Sequence, residues 1–393
     1  MLTMHDLPIE RKRVLIRQDL NVPLKNGVIT DQTRIEASLP TIKLALEADC
    51  NVTVMSHLGR PKEGHFDPTL SLKPVAELMS KMLQIPVDLK NNWLEPSQKK
   101  GVQVTLGENV RFLEGETSND PVLAKKMANL CDIYVNDAFG SAHRAHASTH
   151  GVAALAPIAA AGPLLWKEVN AIHQVLNTPQ RPLIAVVGGS KVSTKLKVLE
   201  FLAKKVDYLL LGGGIANTLL LAAGRPVGSS LCEPELIDTA QRLLKTDAEI
   251  PLPVDVRTAK DFSEKATGFI KMSQEVETDD LILDLGPQSL DAIEDIIAGA
   301  GTILWNGPLG VFEFPEFSYG TERLAKSIAQ SEAFTVAGGG DTLAAISKFA
   351  VGESISYIST GGGAFLEFLE QGTLPAIQIL QERKKSYSSS IET

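Results

Sequence analysis

The second half of the chain repeats one local pattern, a short apolar run that ends in glycine. In 334–349 the run meets three consecutive glycines before a segment with helical periodicity, and similar runs occupy 184–191, 208–215, 302–308 and 355–364. Because glycine has no Cβ, a ligand can approach the backbone there, and the N-terminus of the following helix offers free N–H groups to an anion. Five such strand ends on one edge of an open parallel α/β sheet predict a crevice that suits a nucleotide.

Two polar residues follow the glycine triplet and allow two interpretations. Asp341 and Thr342 are residue types that commonly cap a helix N-terminus through local hydrogen bonds. The recurrence of glycine-rich strand ends favours a ligand contact instead, with the capping role left open.

Length and charge limit the possible architectures and ligands. The chain has 393 residues, of which 44% are hydrophobic and 22% charged, which is enough for two globular domains. Pro179 and Pro182 follow a helical pattern over 164–177 and mark the predicted boundary. A net charge of −9 argues against nucleic-acid binding, so an anionic ligand needs local cationic clusters.

Targeting and membrane signals are missing from the sequence pattern. The first 13 residues contain no apolar stretch after a basic region, and the uncharged runs 151–166 and 208–224 are interrupted by proline or glycine. Cys50, Cys131 and Cys232 are isolated, as expected for reduced thiols. We therefore expect a cytoplasmic protein without a membrane partner.

The first half places cationic and hydrogen-bonding side chains where predicted strands end. Guanidinium groups suit bidentate recognition of carboxylate or phosphate oxygens, whereas a single arginine is usually only a solvated surface residue. Together these side chains predict a site for a small polyanion. They are Arg34, His57, Arg60, Arg111 and Arg144.

Other polar residues have two open interpretations. Asp19 and Asn21 leave the first predicted strand on one side, although both types are also common in turns. His143 and His146 suggest a metal, but no third ligand lies at metal spacing, and we do not expect one.

The lysines after the glycines at 188–189 predict a second anion contact. The segment is predicted to be a helix with Lys191 and Lys195 four residues apart on the side that packs on the sheet. Two cations there are unfavourable to each other and to the helix dipole, which an anion between them would relieve. Glu313, just past the glycine-rich 306–310, is either a surface carboxylate or a ligand contact.

Several motifs, taken in order, resemble the phosphoglycerate kinase family over nearly the whole chain. The motifs are those at 17–23, 56–61, 108–111, 142–146, 188–191, 305–308 and 338–342. The resemblance implies two doubly wound parallel-sheet (Rossmann-like) α/β domains joined by a helix and hinge. We expect a 3-phosphoglycerate domain over 1–177, to which a segment of about 373–393 returns, and a nucleotide domain over 178–372.

The resemblance also implies roles for individual residues. Arg34 and Lys191 match the cations that steady the phosphoryl group in transit, and Asp341 matches the residue that engages Mg²⁺. The 3-phosphoglycerate contacts correspond to Asp19, Asn21, Arg34, His57, Arg60, Arg111 and Arg144. The nucleotide contacts correspond to Lys195, Asn306, Glu313, Gly339, Gly340, Asp341 and Thr342, with Gly213 and Gly214 lining the adenine pocket. Gln18, Leu20 and Asn217 depart from the family's commoner residues and affect the fine shape of the pockets.

The activity implied is reversible, Mg²⁺-dependent phosphoryl transfer between 1,3-bisphosphoglycerate and ADP, giving 3-phosphoglycerate and ATP in glycolysis. We expect in-line transfer across a closing two-domain cleft, in a monomer. The residues suit this chemistry, because phosphoryl transfer needs mainly alignment and charge neutralisation.

The sequence disfavours three other functions. A nicotinamide dehydrogenase and a Walker-type NTPase each require a glycine motif that the sequence lacks. A non-enzymatic two-lobed binding protein needs only one ligand crevice, whereas this sequence predicts two of different chemistry.

Overall fold

The chain forms two compact units, one built from Met1–Val169 with Gln371–Thr393 and the other from Asn170–Glu370. The computed structural model describes residues 1–95 and 103–391, with the backbone alone for 388–391. We call the two parts unit 1 and unit 2.

Unit 1 is organised around a six-stranded sheet in the order β5-β6-β4-β1-β7-β8, in which every pair is parallel. The strands are β1 (Arg13–Arg17), β4 (Asn51–Met55), β5 (Val87–Lys90), β6 (Val104–Gly107), β7 (Ile133–Asn136) and β8 (Ile158–Ala161), and a short antiparallel hairpin joins β2 (Leu24–Lys25) to β3 (Val28–Ile29). The helices are α1 (Thr33–Glu47), α2 (Lys73–Leu83), α3 (Pro121–Ala128), α4 (Val152–Leu155) and α13 (Pro375–Ile391), and α5 (Pro163–Asn177) contains the boundary between the units.

The central strands of the unit 1 sheet are buried on both faces, as is usual in a parallel sheet. β1 is buried from Val14 onward and β7 throughout, as expected for a sheet covered by helices on each side. β1 lies between β4 and β7, so the chain leaves it in both directions. This topological switch point places the ligand crevice of an α/β sheet at the carboxyl end of β1, directly after Arg17.

Unit 2 contains a five-stranded parallel sheet in the order β10-β9-β14-β15-β16. These strands are β9 (Leu183–Gly188), β10 (Tyr208–Gly212), β14 (Thr302–Asn306), β15 (Phe334–Gly338) and β16 (Tyr357–Ser359). The helices are α6 (Leu196–Leu202), α7 (Gly213–Ala222), α8 (Ile237–Leu243), α9 (Pro287–Ala298), α10 (Tyr319–Gln330), α11 (Gly340–Lys348) and α12 (Gly363–Gln371). β9 lies between β10 and β14, so the switch point of this sheet follows Gly188.

The predicted fold class is confirmed by these two parallel sheets with their helices. Unit 2 also carries a three-stranded antiparallel sheet that the sequence analysis did not predict, formed by β11 (Asp255–Ala259), β12 (Phe269–Met272) and β13 (Leu281–Leu285) in the order β12-β11-β13. β12 exposes most of its side chains on both faces, so its sequence lacks the alternation of a half-buried strand.

One local prediction is wrong. The helix predicted to carry Lys191 and Lys195 begins only at Leu196, so the two lysines do not share a helical face. Its start is delayed because the backbone N–H and the hydroxyl of Ser193 both donate to the carboxylate of Glu233, at 2.8 and 2.5 Å. At the C-terminus, the residues after Arg383 continue α13 to Ile391. Arg383 Nη2 anchors this helix by donating to the carbonyl of Ala156 at 2.7 Å.

Candidate active site

The carboxyl end of β1 begins the candidate site of unit 1. Arg34, the second residue of α1, donates through Nη1 to both carboxylate oxygens of Asp19 at 3.0 Å and to the carbonyl of Asn21 at 3.2 Å. The Asn21 side chain accepts from the backbone N–H of Gly59 at 2.9 Å. The structure therefore brings Asp19, Asn21 and Arg34 together and ties them to the segment that follows β4.

A second loop is fixed beside the first by an asparagine that the sequence analysis did not single out. Asn109 donates through Nδ2 to the carbonyl of Leu58 at 2.7 Å and accepts from the Leu58 N–H at 3.2 Å. Arg111 follows Asn109 and donates through Nη1 to the carbonyl of Gly59. These bonds hold the segment of His57 and Arg60 next to Arg111. Arg60 itself is exposed.

The electrostatics of unit 1 favour an anion. Burial, together with Arg144, Arg17 and Arg60, lowers the pKa of Arg111 to about 10. Burial and the neighbouring arginines likewise hold the pKa of His57 well below its usual range and lower that of His146 to about 4. Cations that depress one another's pKa gain stability when a polyanion lies among them.

Three more residues of unit 1 belong to this network but are missing from the predicted site. Arg17 is fully buried and donates through Nε to the Ser148 hydroxyl at 3.0 Å. Ser148 donates in turn to the buried carboxylate of Glu116 at 2.6 Å. The sequence signal that marks Arg17 is its position at the end of an apolar strand. A cation in such a buried position requires partners, because lysine and arginine are almost never fully buried without them.

In unit 2 the glycines allow strand ends to approach one another closely. A Cβ on Gly188 would lie 1.7 Å from the carbonyl oxygen of Pro308, and Gly213 has a φ of +65°. The ends of β9, β10 and β14 therefore meet only because these positions lack side chains.

Lys195 joins two of these strand ends. Its Nζ donates to the carbonyl of Gly188 at 2.6 Å and to the side-chain oxygen of Asn306 at 2.7 Å. Burial lowers the pKa of Lys195 to about 8, while the nearby Asp341 opposes this shift. Asn306 also donates through Nδ2 to the carbonyl of Gly338 at 2.6 Å, so one amide links β14 to the glycine triplet after β15.

The start of α11 shows whether Asp341 caps the helix. Gly339, with a φ of +102°, occupies the N-cap position, and Asp341 lies inside the first turn without a capping bond. Among the described residues, none donates a hydrogen bond to its exposed carboxylate. Thr342 is buried instead, where its hydroxyl donates to the carbonyl of Gly338 at 2.9 Å and accepts from the Gly307 N–H at 2.8 Å. The capping interpretation of Asp341 is wrong.

A cavity of about 670 Å³ lies along these strand ends. Its volume is within the range of small-ligand sites. Apolar side chains, including Leu231, Phe262 and Phe314, line one part of it. The predicted residues on its wall are Gly213, Gly214, Asn217, Glu313 and Asp341. Lys191 is exposed.

Comparisons with known proteins agree with this geometry. The family model for phosphoglycerate kinase matches residues 4–372. The chain belongs to the phosphoglycerate kinase family. The structure of phosphoglycerate kinase from Coxiella burnetii is 53% identical, with a TM-score of 0.95, over 98% of this chain and 100% of that one. The phosphoglycerate kinase from Pyrococcus horikoshii OT3 is 31% identical, with a TM-score of 0.79 and the same coverage.

Membership of the phosphoglycerate kinase family makes the protein a phosphotransferase with a carboxyl group as acceptor. It transfers a phosphoryl group between 1,3-bisphosphoglycerate and ADP in glycolysis. None of the helices in the part of the chain that the structure describes combines the length and the apolar character needed to span a bilayer.

Proposed function

We propose that unit 1 binds 3-phosphoglycerate and that unit 2 binds the nucleotide, with the domain limits predicted at 1–177 plus 373–393 and at 178–372. The observation that carries the proposal is the contrast between the two switch points. The crevice after β1 is surrounded by cations that depress the pKa of Arg111, whereas the one after β9 is formed by glycines beside an apolar cavity. Cations suit a small polyanion, and bare backbone suits a nucleotide.

In the substrate site, Arg34 is proposed to act on the transferring phosphoryl group. Its Nη1 is occupied by Asp19 and Asn21, which fix the guanidinium plane. The remaining guanidinium donors can then bind oxygens of the phosphoryl group. Binding oxygens that gain charge during transfer lowers the barrier more than it strengthens substrate binding. Asp19, Asn21, His57, Arg60, Arg111 and Arg144 are proposed to hold the 3-phosphoglycerate.

In the nucleotide site, Lys195 and Asn306 are proposed to hold phosphate oxygens, and Glu313 the ribose. The backbone N–H groups at Gly339, Gly340 and Thr342 extend the anion site at the start of α11, where the helix dipole is positive. Lys191 is proposed to move onto the phosphoryl group during transfer, and its exposed position supports the required freedom.

We also propose Asp341 as the protein ligand of Mg²⁺. Its exposed carboxylate lies on the wall of the cavity, and oxygen ligands are those that Mg²⁺ prefers. The ion would neutralise charge on the phosphate oxygens of the nucleotide.

Transfer is further proposed to proceed in line while the two units close around both ligands. Small-angle scattering of the apo protein, each binary complex and a ternary complex with a non-reacting nucleotide tests this step. The radius of gyration should fall in the ternary complex alone, and an unchanged radius there contradicts closure. We also propose that the protein acts as a cytoplasmic monomer without a nucleic-acid or membrane partner. Light scattering after size-exclusion chromatography measures the molar mass and so tests whether the protein is a monomer.

The overall reaction and its need for Mg²⁺ are tested by a coupled assay in which NADH oxidation consumes the 1,3-bisphosphoglycerate formed. Turnover should require ATP, 3-phosphoglycerate and Mg²⁺ together, and a chelator should abolish it. Turnover that survives without Mg²⁺, or that prefers an acid lacking the phosphate, contradicts the proposal.

A further inference from the structure

On the buried side of the candidate substrate site, Arg17 forms a hydrogen bond with His57. Arg17 Nη2 lies 3.1 Å from His57 Nδ1. A guanidinium group has only donors and keeps its proton in proteins, so its partner must be an acceptor. In this contact Nδ1 therefore carries the lone pair, and the proton of a neutral ring lies on Nε2.

Arg17 cannot turn away from this contact, because its other nitrogens are occupied. Nε donates to the Ser148 hydroxyl at 3.0 Å, and Nη1 donates to the carbonyl of Gln18. Ser148 is held by Glu116, which accepts from the Ser148 hydroxyl at 2.6 Å and from its N–H at 3.0 Å. Arg17, Ser148 and Glu116 are all buried. The donor that faces His57 is thus fixed on two sides.

The surroundings of His57 also oppose its protonation. The charged groups with the largest effects on the ring are Arg17 from β1, Arg111 after β6, Arg144 after β7 and Arg34 from α1, and each of these four is a cation. Together with burial they hold the pKa of His57 well below its usual range. A neutral ring with its proton on Nε2 can still donate one hydrogen bond from Nε2 to an anion. In the other neutral tautomer, Nε2 has no proton and cannot donate.

We propose that Arg17 is a positioning residue that fixes His57 as the neutral Nε2–H tautomer, with Ser148 and Glu116 holding Arg17 in place. This inference rests on the proposed role of His57 in binding 3-phosphoglycerate. It assigns the proton by which His57 donates to the substrate, and it adds three residues to the substrate site that do not touch the substrate themselves.

The first experiment needs no substitution. Two-dimensional ¹H–¹⁵N NMR of the imidazole rings in the full chain, with His57 assigned through His57→Gln, reports the protonated nitrogen between pH 5.5 and 8. We expect the neutral Nε2–H form throughout this range. A proton on Nδ1, or titration of His57 in this range, overturns the inference.

The same spectra separate this inference from the proposed function. Addition of 3-phosphoglycerate should shift the Nε2–H resonance of His57. If the tautomer is as expected but the resonance does not move, Arg17 still positions the ring, whereas the proposed role of His57 in substrate binding fails.

The second experiment uses Arg17→Met, which keeps the length of the side chain and removes its donors. The pKa of His57 should then rise, because Arg17 is the neighbouring cation with the largest effect on the ring. 3-Phosphoglycerate should bind about tenfold or more weakly at pH 8, as expected for a lost hydrogen bond to a charged group. The ratio of variant to wild-type Kd should fall towards lower pH, because a protonated ring attracts the anion. Because both proteins bind the same ligand at each pH, the effect of the ligand's own titration cancels in this ratio.

Arg13→Met is the matched control, since Arg13 begins the same strand but pairs with Asp132 at the surface. It should leave the His57 spectrum and the Kd unchanged. A Kd ratio for Arg17→Met that is independent of pH assigns Arg17 a merely structural role and overturns the inference. If Arg17→Met does not fold, the wild-type spectra decide.

Discussion

Lys195 Nζ lies 2.7 Å from the side-chain oxygen of Asn306, and this bond links the strand ends on which the nucleotide is proposed to lie. Lys195 is only half-buried, but it carries a charge among backbone carbonyls without an ion pair in the described part of the chain. Burial, which no ion pair among the described residues offsets, lowers its pKa to about 8 despite these hydrogen bonds. An anion at this position would raise the pKa again.

We therefore expect proton uptake when ADP binds at about pH 8.5. Free Lys195 is then partly neutral, the phosphates of ADP are fully ionised, and the bound phosphates favour the charged amine. Calorimetry in two buffers that differ in ionisation enthalpy measures the uptake. Lys195→Met should abolish it, Lys197→Met on the exposed side of α6 should not, and wild-type binding without uptake contradicts the assignment.

The same pKa predicts the contribution of Lys195 to stability. Its folded pKa of about 8 lies below the ordinary value of 10.5, so between these two values the unfolded chain binds more protons. The free energy of unfolding should therefore rise with pH through this window, as far as this group is concerned. Chemical denaturation at pH 7.5 and 10 measures the free energy of unfolding of the wild type and of Lys195→Met. The contribution of Lys195 to the rise between these two pH values should be absent from the variant.

Arg34→Ala should lower turnover about 10³-fold or more, because Arg34 is proposed to neutralise charge on the transferring group. The Michaelis constants should change much less. Steady-state kinetics for both substrates check this, and a raised KM with unchanged kcat would reduce Arg34 to a binding residue.

Lys191→Ala should show the same pattern of kinetics as Arg34→Ala, for the same reason. Lys197→Ala is its matched control, since both lysines are exposed and only Lys191 is proposed to reach the phosphoryl group. Equal turnover of the two variants contradicts the proposed role.

The sequence was sufficient to predict the two parallel sheets, because apolar strands that end in glycine or polar residues have few other solutions. It was not sufficient for β12, which is largely exposed and shows no strand periodicity. The start of α6 was also missed, because it depends on the contact of Ser193 with Glu233, which lies 40 residues away along the chain.

The candidate site divides in a similar way. Arginines and glycines at strand ends could be selected from sequence, since their chemistry is local to each motif. Glu116 and Ser148 could not, because their relevance arises only from the buried contact with Arg17. For Asp341 the sequence left two interpretations open, because its residue type often caps helices, and only the structure shows that it lies inside the first turn.

Asp341→Asn should remove most of the activity while the melting temperature changes little. The carboxylate makes no capping bond, so stability loses its interaction with the helix dipole, about 0.3–1 kcal/mol, and its attraction to Lys195. Thr342→Val should instead lower the melting temperature clearly, because it removes the buried hydroxyl that bridges Gly338 and Gly307. Thermal denaturation and the Mg²⁺ dependence of turnover check both, and full activity per folded molecule in Asp341→Asn contradicts the metal assignment.

Two glycine substitutions separate folding from ligand approach. Gly188→Ala should prevent unit 2 from folding correctly, because its Cβ would lie 1.7 Å from a backbone oxygen. Gly340→Ala meets no atom within 4 Å and should preserve the melting temperature while weakening ADP binding. Unchanged ADP affinity in Gly340→Ala would mean that the phosphates do not approach this backbone.

The division of ligands between the two units is tested most directly by calorimetry of Arg60→Ala and Lys195→Met, each titrated with 3-phosphoglycerate and with ADP. Arg60→Ala should lose affinity for 3-phosphoglycerate and keep that for ADP, and Lys195→Met should do the opposite. Loss of both affinities in either folded variant, or the reversed pattern, contradicts the account.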